Sequence, residues 1–497
     1  MGKTKILFAT DYSLAKTGFG RNAKSILSYL WKTDKYEIFH YCCGINWSNP
    51  VLTKTPWKSI GCLPDNQQEL EAINQEPGAA QKNSYGLYYL DRVVKEVKPD
   101  IYIAAQDYWG VDFALGRYWF NKIPCSIWTT LDSLPLLPPA VEGAKTIKNY
   151  WVWSNFAEKE MHKLGHKHVK TVHGAVDDSN FFKLDNKDKQ NLRTNFNLPQ
   201  DAFIIGFVFR NQLRKSVPNL LEGYSLFRKN NPSLKKCYLF LHTHFCEGWN
   251  IKRLCDEYQI PFTDIITTYT CHKCNAYEVK NYTGENLNCR FCGNEKCQQT
   301  TNVNKGVTEK QLNEVYNLMD VYCHPFTSGG QEIPIQEAKL TELVTLVTNY
   351  SCGEELCEEE SGSLALDWSE YREHGTEFRK ASTLPSSISK QLTKVLEMNP
   401  SKKAALGKMA REWTIKNYSV EAIGKFIENW IDSQILTNYN FEVLPDIKNP
   451  NATINENIED DKTWLKHIYK EILNMDVKDD DSGLAYWMNV LEGKVTQ

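Results

Sequence analysis

Four cysteines in one short segment have the type and spacing of metal ligands. They form two Cys-x-x-Cys pairs separated by 14 residues. Each pair presents two thiolates from one tight turn, and two such turns complete the tetrahedral sulfur shell that suits zinc. Because the protein would supply every ligand, we predict a structural zinc site, with redox or cluster chemistry as the alternative. Nearby Cys297 and His272 are predicted to be non-ligands. The predicted ligands are Cys271, Cys274, Cys289 and Cys292.

Two further places combine residues that suit a nucleotide diphosphate. In the first, Gly18 and Gly20 follow an apolar segment and begin an amphipathic one, so backbone N–H groups could approach an anion at a helix N-terminus. In the second, Arg210 and Lys215 place two fixed cations at a strand-to-helix turn, which suits a pyrophosphate. Taken singly, a tight turn and two solvated cations would explain these residues equally well.

The third such place is the segment 328–338, SGGQEIPIQEA, another glycine turn that leads into a helix. Gly330, Gln331 and Ile333 lie where the chain would meet a bound nucleotide at the start of that helix. Glu337 falls in the first turns of the helix, between two apolar positions. A carboxylate there can bind a ribose diol, and a solvent-facing glutamate is the alternative.

These residues need a scaffold that brings them together, and the hydrophobic pattern predicts one. Apolar segments such as 5–11 and 203–210 alternate with amphipathic segments in two blocks, which predicts an α/β protein with two Rossmann-like domains facing a cleft. Ligands of parallel sheets bind at the carboxyl ends of the strands, where most of the unusual residues fall. The predicted parts are domains at 1–185 and 200–400 joined by a polar linker, a zinc ribbon at 269–304, closing helices at 401–435, a linker at 436–458 and a small helical module at 459–497.

Composition and charge narrow the class of protein. With 497 residues, 41% hydrophobic and 24% charged, the chain has the composition of a globular protein of several domains. Residues 1–300 carry 38 Lys and Arg against 29 Asp and Glu, whereas residues 301–497 carry 20 against 32. The first part could therefore face an anionic partner, or simply carry solvated charge. No run of 18 apolar residues and no signal-like start occur, so we expect no membrane span and a cytoplasmic location.

Four motifs give the sequence a resemblance to a known family. It resembles the GT-B glycosyltransferases of the large retaining group that uses nucleotide sugars, the family-four type. The resemblance covers about residues 1–430 and rests on TGFGR, VFRNQLRKSVPNLLEGY, DVYCHPFTSGGQEIPIQEA and LVTLVTNYSCGEE, in the family's order. It implies the GT-B fold, an acceptor-binding N-terminal domain, and a C-terminal domain that binds a nucleotide-sugar donor, with a UDP-sugar favoured. It also implies retention of configuration.

The resemblance further implies roles for individual residues. Arg210 and Lys215 keep the family's spacing, and with the helix N-terminus after Gly330 they would stabilise charge on the leaving nucleoside diphosphate. Because no Asp-x-Asp sequence occurs beside a strand end, no catalytic divalent metal is expected. Asp132 or Asp107 would orient the acceptor hydroxyl, and Trp109 would stack against the acceptor. Structural caps and core packing are the respective alternatives.

The sequence departs from the family pattern at two points. The family's first carboxylate, eight residues before Glu337, is replaced by Gly329, and its usual glycine before the Ile-Pro pair is Glu332. We expect Glu332 to stand in for the lost acid as a catalytic carboxylate. The histidine that many members carry after the fifth strand is absent, and Asp132 is present there instead.

The predicted acceptor follows from the zinc insertion and the basic first part of the chain. The insertion should attach at the lip of the cleft, where it could brace a loop, contact a protein or glycan acceptor, or grip DNA with a modified base flipped into the cleft. Since glycosyltransferases of this type that act on hydroxymethylated bases are known among viruses, the resemblance implies a hydroxymethylated DNA base as acceptor, for a virus-encoded enzyme that acts in the host cytoplasm. A glycan or protein acceptor is the first alternative, and a non-catalytic zinc-bearing binding protein on the same scaffold is the second.

Overall fold

The chain forms two α/β halves and a C-terminal helical hairpin. The computed structural model describes residues 2–302, 305–444, 460–473 and 475–491. Within these ranges, each half is built on a largely parallel sheet. No helix of the described ranges is both long and apolar enough to cross a membrane.

The first sheet has seven strands, all parallel to their neighbours. They are β1 Thr4–Asp11, β2 Tyr36–Asn46, β3 Lys58–Leu63, β4 Ile101–Ala105, β5 Cys125–Thr129, β6 Asn149–Val152 and β7 Lys170–Thr171. Their order is β3-β2-β1-β4-β5-β6-β7. Along β1, Ile6 and Phe8 pack into one core and Leu7 and Ala9 into another, so both faces are covered, as in other parallel sheets. Strand β3 was not predicted, because its short sequence contains a glycine and no long apolar run.

The second sheet continues the same architecture. Its strands are β8 Phe203–Val208, β9 Cys237–His242, β10 Ile265–Cys271, β11 Tyr277–Asn281, β12 Gln298–Thr300, β13 Val321–His324, β14 Thr345–Thr348 and β15 Ser363–Leu366. Their order is β11-β10-β9-β8-β13-β14-β15, with β12 also paired to β10. Strands β11 and β12, which belong to the cysteine-rich insertion, are antiparallel to β10. A separate hairpin consists of β16 Trp368–Arg372 and β17 Arg379–Thr383.

Helices cover the two sheets and close the fold. They are α1 Gly18–Lys32, α2 Gln67–Ile73, α3 Ala79–Ser84, α4 Leu90–Val97, α5 Pro138–Gly143, α6 Asn155–Lys163, α7 Asn186–Asn195, α8 Val217–Asn230, α9 Ile251–Glu257, α10 Glu309–Asn317, α11 Ile333–Leu340, α12 Gly353–Leu356, α13 Pro385–Glu397, α14 Pro400–Tyr418, α15 Val420–Asp432, α16 Asp461–Leu473 and α17 Ser482–Leu491. Helices α16 and α17 form the C-terminal hairpin.

Helix α7 lies where a polar linker between the halves was expected. Asp185 caps it by accepting a hydrogen bond from the N–H of Asp188 (2.8 Å). Arg193 near its end is buried and pairs with Asp320 at 2.7 Å. The expectation of a linker is therefore corrected. Lys189 and Arg193 of this helix both pair with Asp320, and so polar a helix lacks the wide apolar stripe that a sequence pattern detects.

The chain crosses back to the first half near its C-terminal end. Helix α14 packs on α11, whereas α15 packs on α1, where the Tyr29 hydroxyl donates to Glu428 (2.9 Å). Residues 437–443, here called the returning segment, continue along the first half. In it, Thr437 and Tyr439 donate to backbone carbonyls just before β4 (2.8 and 2.6 Å), and Val443 is buried. The linker predicted at 436–458 thus begins with packed residues, and its part at 445–458 lies outside the described residues.

Candidate active site and candidate metal centre

Loops at the carboxyl ends of both sheets meet in a cleft between the halves. Asp107 and Asp132 follow β4 and β5 of the first half. Arg214 of the second half lies close enough to interact with both carboxylates. The hydroxyl of Ser328, which follows β13, donates to Asp132 across the cleft (3.2 Å). The sheet edges that parallel topology predicts as a ligand site are therefore brought face to face.

Glu332 is the centre of a buried ion cluster in this cleft. Its carboxylate is 2% exposed and pairs with Arg214 and Lys215, and His324 Nε2 lies 3.1 Å from it. Burial raises the pKa of Glu332, but the two cations outweigh this effect and hold the pKa well below its ordinary value. Burial lowers the pKa of Lys215 to about 8 and that of His324 to about 4. At neutral pH, Glu332 is consequently a carboxylate that faces two cations and a neutral imidazole.

The Glu332 carboxylate occupies the space of the side chain that position 329 lacks. A Cβ atom built on Gly329 would lie 2.6 Å from Glu332 Oε1, closer than such atoms approach without one of them moving. A side chain at position 329 would therefore force the Glu332 carboxylate to move.

The structure separates the two cations that the sequence placed together. Lys215 reaches Glu332, but Arg210 is 55% exposed and its Nε lies 3.3 Å from Glu247 Oε2. The second cation that pairs with Glu332, besides Lys215, is Arg214, which the sequence analysis did not identify. The only signal for it in the sequence is that two basic residues stand next to each other.

Glu337 is buried on α11 and held by residues from both halves. Arg21 of α1 binds one of its oxygens, and the Tyr316 hydroxyl donates to the other (2.8 Å). Arg21 also lies 4.0 Å from Glu309. With Glu337 only 1% exposed, the alternative of a solvent-facing glutamate is excluded. Sequence reasoning missed Arg21, although it directly follows Gly20.

The first glycine turn caps α1 and touches the start of α11. Thr17 Oγ1 accepts from the N–H of Gly20 (3.0 Å) and donates to Asp11 (2.5 Å). A Cβ atom on Gly20 would lie 2.7 Å from a backbone carbonyl of the turn, and one on Gly18 would lie 3.5 Å from Ile333. Glycine is therefore required at position 20, and Gly18 and Ile333 meet across the cleft.

The second glycine turn packs directly on the first half. Gln331 accepts from the N–H of Gly174 (2.7 Å) and donates to its carbonyl (2.8 Å). A Cβ atom on Gly330 would lie only 2.4 Å from Thr130 Cβ. The approach of the halves thus requires Gly330, and Gly174 engages both ends of the Gln331 amide.

Two of the predicted acceptor-side residues accept hydroxyl hydrogen bonds, and a third is exposed. Burial raises the pKa of Asp107, and the Thr130 hydroxyl, which donates to it at 2.6 Å, opposes this effect. Asp132 accepts from the Ser133 hydroxyl at 2.7 Å. Trp109 is 38% exposed and meets the ring of Tyr85 edge-on at 4.8 Å, so it is not an ordinary core residue.

The insertion brings five cysteine sulfurs together, four of them on two matched turns. In each Cys-x-x-Cys turn, the carbonyl of the first cysteine accepts from the N–H four residues later, and its N–H donates to the carbonyl five residues later. The sulfur–sulfur distances are 3.7 Å for Cys271–Cys292 and 3.8 Å for Cys274–Cys289. A tetrahedral shell with Zn–S bonds of about 2.3 Å has edges of about 3.8 Å, so the spacing fits zinc.

Cys297, which was predicted to be a non-ligand, lies inside this cluster. Its sulfur is 3.5 Å from that of Cys271, and the sulfurs of Cys271, Cys289, Cys292 and Cys297 all lie within 4.8 Å of one another. The Cys297 thiol also donates to the Asn294 carbonyl (3.1 Å), which a zinc-bound thiolate does not do. The sulfur spacing therefore supports Cys271, Cys289, Cys292 and Cys297 as one set of four ligands, whereas Cys274 is tied to the cluster by its 3.8 Å spacing to Cys289 and by its place on the first turn.

Comparison with known proteins identifies the fold. No family model matches the sequence, and no curated protein matches it either. Among solved structures, a glycosyltransferase from Rickettsia africae is similar with a TM-score of 0.60 and 12% identity, over 87% of this chain and 98% of that one. Sucrose-phosphate synthase from Thermosynechococcus elongatus has a TM-score of 0.60 at 11% identity (86% and 98%). Anabaena HepE in complex with UDP-glucose has 0.58 at 12% (86% and 100%). The predicted GT-B fold is therefore confirmed.

Proposed function

We propose that the protein is a glycosyltransferase that moves a sugar from a nucleoside-diphosphate sugar to a hydroxyl acceptor. The observation that carries this proposal is the cluster of Arg214, Lys215 and Glu332 beside the N-terminus of α11. Fixed cations and a helix N-terminus stabilise the charge that develops on a leaving diphosphate. We favour a UDP-sugar as donor, since the similar HepE structure is a complex with UDP-glucose.

In this proposal the residues of the cleft divide into a donor side and an acceptor side. Glu337 binds the ribose diol, Lys215 and Arg214 contact the diphosphate, and Arg210 turns from Glu247 to join them. The cations supply the charge that a divalent metal supplies in other transferases. Glu332, which reaches the space at Gly329, stands in for the family's first acid beside the sugar. On the donor side, the backbone approaches the bound nucleotide closely at Gly18, Gly20, Gly330, Gln331 and Ile333.

Asp107 and Asp132 orient the acceptor hydroxyl in the proposed reaction. Asp107 is the stronger candidate for accepting its proton, because burial raises the pKa of this carboxyl. The transferred sugar leaves the diphosphate as the acceptor oxygen forms its bond, and we propose retention of configuration.

We also propose that the insertion holds one structural zinc ion. The two matched Cys-x-x-Cys turns support Cys271, Cys274, Cys289 and Cys292 as its ligands. Cys297 in place of Cys274 is the alternative, because its sulfur lies within 4.8 Å of the other three. The ion would keep the insertion folded beside β10 and take no part in the transfer.

As acceptor we propose a hydroxymethylated base in DNA, for a virus-encoded enzyme that acts in the host cytoplasm. The excess of 38 basic over 29 acidic residues in positions 1–300 supports an anionic partner. The exposed ring of Trp109 suits stacking on a flipped base. A glycan or protein acceptor is the alternative.

A donor and acceptor screen tests both levels of the proposal. The purified protein should hydrolyse a UDP-sugar slowly and show a higher melting temperature with UDP. It should add the mass of one hexose or pentose to an oligonucleotide that contains hydroxymethylcytosine, but not to the matched cytosine oligonucleotide. Transfer to glycans or proteins and never to DNA would replace the acceptor. If no donor gave turnover or a thermal shift, the non-catalytic zinc-bearing binding protein would be the better account.

A further inference from the structure

A buried lysine joins the two halves next to Asp132. Lys380 lies on β17 and is 8% exposed. Its ammonium donates to the hydroxyls of Ser133 and Ser328, each at 2.7 Å. Ser133 follows β5 in the first half, whereas Ser328 follows β13 in the second. The proposed donor and acceptor roles leave this lysine without a function.

The chemistry of the donors fixes the direction of this network. An ammonium group can only donate hydrogen bonds, and a serine hydroxyl has one proton to give. Because both hydroxyls accept from Lys380, each keeps its proton for another acceptor. Asp132 Oδ1 lies 2.7 Å from the Ser133 hydroxyl, and Oδ2 lies 3.2 Å from that of Ser328. The two hydroxyls are 3.3 Å apart, but only the carboxylate can accept from both.

We propose that Lys380 is a positioning residue for the transfer reaction, which acts through Ser133 and Ser328 to hold Asp132 as an oriented hydrogen-bond acceptor for a substrate hydroxyl. This inference rests on the proposed glycosyl transfer. Each oxygen of the Asp132 carboxylate accepts one of these protons and has a further lone pair that can accept a hydrogen bond from the substrate. Since the hydroxyls belong to different halves, the network is complete only when the cleft is closed.

A double-mutant cycle tests whether Lys380 acts through Asp132. Lys380→Met should lower kcat/KM about 10- to 100-fold, the range for losing hydrogen bonds to a charged group, with the KM for the donor nearly unchanged. Asp132→Asn should lower kcat/KM at least as far. The double variant should be no slower than Asp132→Asn alone, because residues that act as one unit are not additive. Lys390→Met removes the same charge from an exposed site on α13 and should match the wild type.

The outcomes of this cycle distinguish a failure of the positioning role of Lys380 from a failure of the proposed function. Losses that multiply in the double variant, or transfer by Lys380→Met at the wild-type rate, would overturn the positioning role. A wild type without turnover on any donor would instead overturn the proposed function. If Lys380→Met failed to fold, Ser328→Ala would serve in its place. It should lose part of the activity and add nothing to the loss from Asp132→Asn, with the UDP-induced thermal shift as the check that each variant is folded.

Discussion

The zinc insertion and the cleft are held together by different forces and over different distances along the chain. In the insertion, all five sulfurs come from residues 271–297, and two matched turns carry four of them. In the cleft, ion pairs such as Arg21 with Glu337 join residues from opposite halves. If the insertion binds zinc as proposed, its fold depends on a single ion, whereas the cleft depends on the packing of two sheets, so each can fail without the other.

The largest expected effect is the unfolding of the cysteine-rich insertion while the cleft stays folded. Cys271→Ser combined with Cys274→Ser removes one whole turn of ligands. Because a structural zinc ion supplies on the order of 10 kcal/mol to its own fold, metal analysis should find no zinc, and limited proteolysis should cut the insertion. The UDP-induced thermal shift should persist. Cys246→Ser, an exposed cysteine outside the cluster, should keep its zinc. Zinc retained in the double variant would contradict the ligand assignment.

The opposite experiment should damage the cleft and spare the insertion. Glu332→Gln leaves Lys215 and Arg214 facing a neutral amide, and breaking a buried pair in this way costs about 3–5 kcal/mol. We expect a lower melting temperature and transfer below detection, with the zinc content unchanged. Glu360→Gln, an exposed site, is the matched control. A variant as stable and active as the wild type would show that the buried cluster contributes nothing.

Acid should weaken the two sheets through their buried histidines. Burial lowers the pKa of His40, His242 and His324 to about 4, below the value of 6.5 in the unfolded chain. Between these values the unfolded chain binds protons that the folded chain does not. Stability is therefore full above pH 6.5 and falls as the pH drops towards 4, by up to about 1.4 kcal/mol per pH unit and histidine.

Urea unfolding at about pH 7 and about pH 5 measures this acid effect. The free energy of unfolding should differ between these two pH values, and His242→Asn should reduce that difference by up to about 2 kcal/mol. Stability that rises as the pH falls over this range would contradict the assignment of buried, neutral histidines.

The smallest expected effect refines the ligand set. Cys297→Ser should leave zinc affinity almost unchanged, because the Cys297 thiol donates to a carbonyl and the two turns already supply four ligands. Cys274→Ser alone should weaken zinc binding strongly in competition with a chromophoric chelator. The reverse result would assign the zinc ion to Cys271, Cys289, Cys292 and Cys297.

The fold was largely predictable because its strongest elements are local. Strand β8 is apolar throughout and β1 contains the apolar run ILFA, which is typical of parallel strands covered on both faces. Strand β3 and helix α7 were missed, because neighbours that are remote in sequence stabilise them: β3 pairs with β2, and Arg193 of α7 binds Asp320.

The candidate site divides in the same way. Lys215, Glu332 and Glu337 lie in recognisable motifs, so the sequence was enough to name them as candidate site residues. Arg21 could not be assigned, because its partner Glu337 belongs to the other half. Lys380 lies on a hairpin without any motif, and its contacts exist only because two loops meet. Sequence spacing therefore predicts site residues that belong to one local motif. It does not predict residues whose contacts form only between segments that are far apart in the sequence.

The return of the chain to the first half has a consequence for the order of synthesis. Ile423, Ile427 and Ile431 of α15 share a core with residues of α1, and the returning segment adds Val443 to the opposite core. A ribosome makes these residues only after the whole second half. The first half therefore begins to fold early but cannot bury its full core until translation has passed residue 443, although domains generally fold as they emerge. A fragment cut at residue 185 would carry that unfinished core permanently exposed.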